Sequence, residues 1–186
     1  MSDFLPFALP DIGDEEIDAV VECLRSGWIT TGPNTKQFEQ EFATYLGGDF
    51  EAISVNSATA GLHLALEALG VGPGDEVIVP AYTWNATPNA VIASGATPVL
   101  AEVDESLTLD PDDVARKIGP NTKAILPVHM RGAPANMDAL TGLAREHGLV
   151  VVEDVCQAAG ASFGGQRLGT FTTVTESGIA DAPPPG

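Results

Sequence analysis

The sequence predicts an α/β fold in which helices cover a mainly parallel β-sheet. From residue 52 onward, short apolar runs of strand length alternate with segments of helical length. That alternation is typical of βαβ units, whose parallel strands are joined by right-handed crossovers. The clearest strand is residues 149–152, an unbroken apolar run that suits a strand buried on both faces of a parallel sheet.

Two helices are predicted to precede this alternation. The first has apolar residues at helical spacing, namely Ile17, Val20, Val21 and Leu24. Asp14 is its predicted N-cap, and Gly27 is predicted to end it. Asn34 is predicted to begin the second helix, with Gln37 at the capping-box position. The intervening residues 28–33 form a predicted loop.

Five strands and four further helices are predicted in the remainder. The strands are residues 52–55, 76–79, 98–103, 123–128 and 149–152. A small-residue turn at 56–61 leads into the first of these helices, and Thr87 followed by Pro88 has the N-cap and N1 signature of the next. Asp110 and Asn136 are the predicted N-caps of the other two.

The composition limits the classes of function. The chain has 186 residues, 44% of them hydrophobic, which is enough for one sizeable core. Its formal net charge of −18 makes nucleic acid and anionic membranes poor partners. Cys23 and Cys156 have no paired spacing, so no disulfide framework or metal site is predicted and a cytoplasmic location fits best. The sequence shows no signal-peptide pattern and no apolar run near the roughly 20 residues that cross a bilayer.

Several loops that follow predicted strands carry side chains suited to ligand binding. Residues 57–61 offer backbone N–H groups at a helix N-terminus, which favours a phosphate, although an ordinary capped helix start has the same pattern. Trp84 suits stacking on a planar ligand, or packing on the sheet edge. Asp154 stands where open α/β sheets bind ligands, or it caps a helix. Gln157 adds an amide donor nearby.

Together these groups suit a flat, phosphorylated heteroaromatic ring with a basic nitrogen. Pyridoxal 5′-phosphate (PLP) is such a ligand. A carboxylate beside its pyridine nitrogen keeps that nitrogen protonated, and the protonated ring accepts electrons from the substrate.

The same stretches resemble a known family. In order and spacing, six of them resemble the N-terminal half of the DegT/DnrJ/EryC1/StrS family, the sugar aminotransferases of PLP fold type I. They are residues 26–33, 56–66, 74–87, 95–104, 127–138 and 151–169. The resemblance implies a three-layer sandwich, the aspartate aminotransferase-like large domain, of which residues 1–171 would form a part. Residues 172–186, with a run of three prolines, are predicted to be a disordered tail.

The resemblance also implies roles for particular residues in binding PLP. Thr59 and Ala60 would hold the cofactor phosphate, and Trp84 would stack on the pyridine ring. Asp154 would pair with the ring nitrogen, and Gln157 would contact the ring hydroxyl.

A second set of residues is implied to lie near the substrate. Trp28, Thr30 and Thr31 belong to a loop that would border the substrate. His129 and Arg131 follow a predicted strand on the same side, although a structural His and a solvated Arg fit the pattern equally well.

The sequence departs from the family at the catalytic lysine. The chain contains Lys36, Lys117 and Lys123, and none of them follows Asp154, where the family has its Schiff-base lysine. No catalytic residue is therefore predicted, and we expect a truncated chain without ordinary transamination.

The resemblance further implies a reaction and a setting for the intact enzyme. It would be a homodimer that transfers an amino group from glutamate or glutamine to a keto sugar, often nucleotide-linked. Amino-sugar, antibiotic or polysaccharide biosynthesis is the implied setting. Two alternatives stay open for the chain itself, a non-catalytic module that binds the cofactor or a sugar, and a non-functional fragment.

Overall fold

A computed structural model describes residues 9–48 and 50–171, which fall into two units divided after Ser54. The first unit holds two helices, α1 (Asp14–Ser26) and α2 (Pro33–Leu46). The second unit holds the sheet and the other helices. The tail predicted at residues 172–186 lies outside the described residues.

Glycine residues flank α1 at both ends. Gly13 precedes the helix, and its N–H donates to Glu16 Oε2 at 2.7 Å. This hydrogen bond from Gly13 holds the pKa of Glu16 below its usual value. Asp14 is the first helical residue, so its prediction as the N-cap is wrong by one position. Gly27 ends the helix in the left-handed conformation (φ 74°), as predicted.

α2 begins one residue earlier than predicted, at Pro33. Proline is favoured there because its missing N–H would have had no partner within the helix. Asn34 therefore lies inside the first turn, and Gln37 donates to Glu41 Oε1 at 2.7 Å instead of closing a capping box. Three rings stack along the helix with centroid separations of 5.8 and 6.4 Å, those of Phe38, Phe42 and Tyr45.

The second unit is built on a four-stranded sheet. Its strands are β1 (Glu76–Pro80), β2 (Thr97–Ala101), β3 (Thr122–Ile125) and β4 (Val150–Val151). All pair in parallel, in the order β2-β1-β3-β4. Four of the five predicted strands are therefore formed, and because they are parallel their carboxyl ends share one edge of the sheet.

Within the described residues, four α-helices, one 3-10 turn (Met130–Gly132) and one hairpin accompany the sheet. The helices are α3 (Ala58–Ala68), α4 (Ala86–Ala93), α5 (Pro111–Lys117) and α6 (Met137–His147). Asp110 accepts from the N–H of Asp112 at 3.0 Å and Asn136 from that of Ala139 at 3.2 Å, which confirms both predicted N-caps. The antiparallel hairpin, which was not predicted, consists of β5 (Ser162–Phe163) and β6 (Gln166–Arg167).

The side chains of β1 enter two separate apolar clusters. Val77 and Val79 belong to a cluster that contains Leu66 of α3 and residues of α4. Ile78, between them, belongs to a second cluster that contains Val114 of α5 and residues of α6. Since successive residues of a strand face opposite sides of the sheet, the sheet lies between two helical layers. The predicted three-layer sandwich is confirmed.

The strand predicted at residues 52–55 is not formed. A strand requires a hydrogen-bonded partner, and none of the described strands pairs with this segment. The N–H of Ser54 instead donates to the Glu39 carboxylate of α2 at 2.7 Å, and Ile53 is 80% exposed. An apolar run in the sequence therefore does not suffice to predict a strand.

Thr87 does not cap α4, which corrects a second prediction. The helix follows Asn85, so Thr87 is its second residue and Pro88 its third. Pro88 is tolerated because it still lies in the first turn, where its missing N–H leaves no partner unsatisfied. The Thr87 side chain is fully buried.

Asp113 connects α5 to the chain that leaves β2. One carboxylate oxygen accepts from the N–H of Glu102 at 2.7 Å and lies 2.8 Å from Lys117 Nζ. The other accepts from Arg116 at 2.9 Å. The Lys117 ammonium, followed by the Glu102 N–H, lowers the pKa of Asp113 to about 2.

We predict that Asp113→Asn makes the chain less stable at pH 7 and that this difference fades in acid. The folded-state pKa of Asp113 lies below its ordinary value, so the carboxylate stabilises the fold above about pH 4 and loses that effect as the pH falls towards 2. Urea unfolding at pH 7, 4 and 2.5 measures the difference. Asp112→Asn, which removes the same charge from an exposed neighbour, is the control. An equal difference between wild type and Asp113→Asn at all three pH values would contradict the assignment.

Candidate functional site

The loops predicted to bind a ligand leave the sheet at its carboxyl edge. Residues 81–85 follow β1, and residues 152–157 follow β4. A short turn at residues 69–75 joins α3 to β1, and α3 packs in the same apolar cluster as that strand. The helix therefore runs back along the strand, and its N-terminus at Ala58 lies towards the same edge.

Asp154 is a buried carboxylate held at both oxygens. Its side chain is only 6% exposed. Oδ2 accepts from the Thr87 hydroxyl at 3.0 Å, and Oδ1 accepts from the N–H of Cys156 at 3.2 Å. No helix begins after Asp154 within the described residues, so this acid does not act as a helix cap. It faces α4 across the sheet edge instead.

Two threonines four residues apart support that carboxylate. Thr87 gives its hydroxyl hydrogen to Asp154, so the 3.2 Å contact between the Thr83 and Thr87 hydroxyls has Thr83 as its donor. The sequence prediction missed this role of Thr87. The spacing of four residues between the two hydroxyls, on either side of Trp84, is the signal that was available.

Cys156 stands beside the carboxylate as a neutral thiol. Partial burial, followed by the hydrogen bond to Asp154 and the negative charge of Asp154, raises the pKa of Cys156 to about 11. A thiolate next to Asp154 is therefore disfavoured near neutral pH.

The N-terminus of α3 is ordered by Ser57. Its hydroxyl accepts from the N–H of Ala60 at 3.2 Å, and its carbonyl accepts from Gly61 at 3.1 Å. The N–H groups of Ala58 and Thr59 precede the first intrahelical bond of α3, so the helix itself leaves them without an acceptor. These two groups and the exposed Thr59 hydroxyl fit an anionic group. The predicted contribution of the Ala60 N–H is reduced, because that donor already serves the cap.

Trp84 lies open at the rim of the site. Its side chain is 74% exposed, so it does not pack on the sheet edge. Its carbonyl accepts from the N–H of Thr87 at 3.1 Å, so the backbone of Trp84 is tied to the same threonine that holds Asp154. The exposed indole ring can therefore stack on a planar ligand.

Gln157 is oriented by a neighbouring loop. Its Oε1 accepts from the backbone N–H of Arg131 at 3.1 Å, so its amide nitrogen points elsewhere. The Arg131 guanidinium in turn donates to the Tyr82 hydroxyl at 3.2 Å. Arg131 and Gln157, both predicted, are thus brought together, and Tyr82 is an addition that the sequence prediction missed.

His129 lies inside the protein and not on the open rim. It is fully buried, its Nδ1 accepts from the N–H of Ala135 at 3.0 Å, and its Nε2 is 3.0 Å from Glu153 Oε2. Since Nδ1 is an acceptor, the ring proton lies on Nε2 and is donated to Glu153. Glu153 also accepts from the N–H groups of Gly169 and Phe171, at 2.8 and 2.7 Å. A substrate contact by His129 has no support from these contacts and stays a prediction.

The three predicted substrate residues of the first loop lie in the first unit. Trp28 Nε1 donates to the carbonyl of Thr31 at 3.0 Å, which folds the loop under the indole. A β-carbon at Gly32 would lie 1.9 Å from Trp28 Nε1, so only glycine fits beneath the ring. Trp28 and Thr30 line a groove of about 850 Å³ within this unit.

Two kinds of feature are not found in the part of the chain that the structure describes. No group of three or more histidine, cysteine, aspartate or glutamate side chains is placed to hold a metal ion there. Within residues 9–48 and 50–171, no helix has the length and apolar character to cross a membrane.

Comparisons with known proteins agree on one family. A model of the DegT/DnrJ/EryC1/StrS aminotransferase family matches residues 10–177. DesV of S. venezuelae is 51% identical, with a TM-score of 0.81 over 83% of this chain and 42% of that one. The PMP form of Spr1654 from Streptococcus pneumoniae, a candidate sugar aminotransferase, is 38% identical, with a TM-score of 0.86 over 90% of this chain and 46% of that one. 3-Amino-5-hydroxybenzoic acid synthase is 41% identical, with a TM-score of 0.82 over 87% of this chain and 43% of that one. The chain thus spans less than half the length of each of these structures.

We predict that Cys156 reacts slowly with iodoacetamide in the folded chain. At pH 8 its raised pKa leaves little thiolate, so alkylation in a Cys23→Ser background should be at least tenfold slower than in the urea-denatured chain. Adding Asp154→Asn removes a charge and a hydrogen bond that disfavour the thiolate, and the rate should rise. Equal rates in the folded and denatured chains would contradict this account.

We predict that Glu153→Gln loosens the segment around Gly169 and Phe171. The amide has one acceptor oxygen for three donors, and a buried donor without a partner costs about 1–3 kcal/mol. Hydrogen exchange of the Gly169 and Phe171 amides should accelerate, while that of β1 should change little. Glu146→Gln, an exposed change in α6, is the control. Unchanged exchange at both amides would show that Glu153 does not anchor the segment.

Proposed function

Because the chain belongs to the DegT/DnrJ/EryC1/StrS aminotransferase family, we propose that its second unit carries the cofactor-binding residues of a PLP-dependent sugar aminotransferase. The observation that supports this most strongly is the Asp154 carboxylate. It is buried at the carboxyl edge of the sheet and is held by Thr87 and by the N–H of Cys156.

The surroundings of Asp154 fit a protonated ring nitrogen. Its two oxygens accept from the Thr87 hydroxyl, from the N–H of Cys156 and from the Cys156 thiol, and of the roughly four lone-pair positions of a carboxylate one is left for another donor. Thr87 and Cys156 fix the carboxylate without adding positive charge that would compete with a cationic N–H. When bound, PLP supplies an electron-accepting ring, and Asp154 would keep the proton on its nitrogen.

The other residues at the edge fit the remaining groups of PLP. The N–H groups at the start of α3, with the hydroxyl of Thr59 and the backbone at Ala60, would bind the phosphate. Trp84 is exposed and would cover one face of the ring. Gln157 has its oxygen engaged by Arg131, so its amide nitrogen would donate to the ring hydroxyl.

The reaction that we propose for the whole protein is amino transfer from glutamate or glutamine to a keto sugar, often nucleotide-linked. In the first unit, Trp28, Thr30 and Thr31 are the proposed substrate-binding residues. In the second unit, Arg131 is proposed to contact a substrate group. His129 would hold the loop of Arg131 in place through its hydrogen bonds to Glu153 and to the N–H of Ala135. We further propose a cytoplasmic homodimer in amino-sugar, antibiotic or polysaccharide biosynthesis. Support comes from the family and from the similarity to Spr1654, a candidate sugar aminotransferase.

Neither lysine of the second unit is placed to bond covalently to the cofactor. Lys117 Nζ lies 2.8 Å from the Asp113 carboxylate and donates to the carbonyl of Leu100 at 2.6 Å. Lys123 is the second residue of β3, so it lies towards the amino edge of the sheet, opposite Asp154. This observation favours the second candidate for the chain as given, a module that binds PLP without a covalent bond.

We predict that the chain binds PLP saturably and that Asp154→Asn weakens this binding. Loss of a charge-assisted hydrogen bond to the ring nitrogen should raise the dissociation constant about tenfold or more. Titration of the pyridoxal absorbance measures the dissociation constant, and borohydride followed by peptide mapping detects any covalent bond to a lysine. Glu146→Gln, at the exposed C-terminal end of α6 that leads into the amino end of β4, removes the same charge away from the site and serves as the control.

Two results would count against the proposal. Absence of saturable binding to the wild-type chain would remove the cofactor role from this unit. Equal dissociation constants for wild type and Asp154→Asn would show that PLP binds elsewhere, and covalent capture at Lys36, Lys117 or Lys123 would identify that place.

A further inference from the structure

Arg131 has an unusual backbone conformation at the edge of the candidate site. Its φ of 55° and ψ of 32° lie in the left-handed region, which residues with a β-carbon seldom adopt. Gly132, which follows, also has a positive φ of 83°. Such strain persists only where surrounding contacts enforce it, and it is concentrated at functional sites.

Two hydrogen bonds hold Arg131 in this conformation. Its backbone N–H donates to Gln157 Oε1 at 3.1 Å, and its guanidinium donates to the Tyr82 hydroxyl at 3.2 Å. Tyr82 follows β1, Arg131 follows the chain leaving β3, and Gln157 follows β4. Three separate strand-end segments therefore converge on one point, which we call the Arg131 cluster (Tyr82, Arg131 and Gln157).

The free polar groups of the Arg131 cluster are donors. The Tyr82 oxygen accepts from the guanidinium, so its own hydrogen is available to a ligand. The Gln157 oxygen accepts from the backbone, and its NH₂ group has two N–H donors, so one is available in addition to the one proposed to bind the ring hydroxyl of PLP. The guanidinium has five N–H groups and uses one of them on Tyr82. A convergent set of donors fits an anionic oxygen group.

The charge of Arg131 is also not neutralised by a neighbour. It forms no ion pair with a carboxylate of the described residues, although the chain has 26 acidic residues. Arg116, by contrast, pairs with Asp113. Arg131 and Tyr82 are both exposed, Tyr82 to 45%, so a ligand can reach them.

The cluster adjoins the carboxylate proposed to bind the cofactor. The N–H of His129, two residues before Arg131, donates to the Asp154 carbonyl at 3.1 Å. Gln157 lies three residues after Asp154. An anionic group bound to Arg131 would therefore lie beside the ring that Asp154 holds.

We propose that the Arg131 cluster recognises a carboxylate or phosphate group of the substrate, and that Arg131 determines this specificity. The inference rests on the proposed function, because it takes the edge at Asp154 as the cofactor site. The carboxylate would belong to the amino donor, whereas the phosphate would belong to a nucleotide-linked sugar. A solvated surface arginine would need neither the strained backbone nor the two bonds that maintain it.

The test uses variants that separate the guanidinium from the backbone. Arg131→Gly removes the charge and adopts a φ of 55° without a steric cost, so its melting temperature should stay within a few degrees of wild type. Tyr82→Phe removes one hydroxyl. Arg145→Gln removes the same charge from α6, where its guanidinium donates to Thr141, and is the control.

Calorimetric titration of the 186-residue chain with L-glutamate and with thymidine diphosphate measures the dissociation constant of each ligand. Each titration is done with and without saturating PLP. We expect at least one ligand to bind saturably, at least tenfold more weakly to Arg131→Gly, a few-fold more weakly to Tyr82→Phe and equally to Arg145→Gln. If only the affinity for glutamate depends on Arg131, the cluster recognises the carboxylate of the amino donor. If only the affinity for thymidine diphosphate depends on Arg131, the cluster recognises the phosphate of the sugar substrate.

Two outcomes would overturn the inference. One is equal affinity of wild type and Arg131→Gly for both ligands, and the other is no saturable binding of either ligand to wild type. PLP binding, followed by absorbance in the same samples, separates the two proposals. Retained PLP binding with no dependence on Arg131 rejects the cluster alone, whereas lost PLP binding in wild type rejects the proposed cofactor site.

Discussion

The geometry of the carboxyl edge depends on how the backbone of Asp154 is attached to the sheet. β4 has only two residues, yet the pairing continues past it as a parallel bridge between Val128 and Asp154. The N–H of Asp154 donates to Pro127 at 2.9 Å, and its carbonyl accepts from His129. Thr87 and Cys156 then orient a side chain whose backbone is already fixed. The acid therefore has the rigidity of a strand residue while standing outside the strand.

The two consecutive acids at this point serve opposite sides. Because neighbouring residues of an extended chain point in opposite directions, Asp154 turns towards α4 and Glu153 turns away from it. Glu153 accepts hydrogen bonds from His129 and from two backbone N–H groups of the segment after the hairpin. One carboxylate is thus placed for a ligand, and its neighbour binds the next segment of the chain to the same edge. The buried His129 helps to hold Glu153 in this structural role.

The sequence predicts those features whose causes are local. The N-caps Asp110 and Asn136 act within their own helix turns, and the acid after an apolar run is placed by strand geometry alone. Features with distant causes were missed. Thr87 has an ordinary capping pattern, and only its partner Asp154 reveals its role. Residues 52–55 have a strand-like composition, but a pattern cannot supply the neighbour that a strand needs.

The hydrogen bond from Thr87 to Asp154 joins residues 67 positions apart in the chain. Closing such a distance costs conformational entropy before the contact returns any stability, so long-range pairings of this kind form slowly. Thr87 is synthesised before Asp154, and β2, α5, β3 and α6 are synthesised between them. Helices such as α6 can form from local contacts alone, whereas the carboxylate site cannot exist until the chain has passed residue 154. Single helices can thus form early, whereas β4 and the carboxylate site that follows it are completed late.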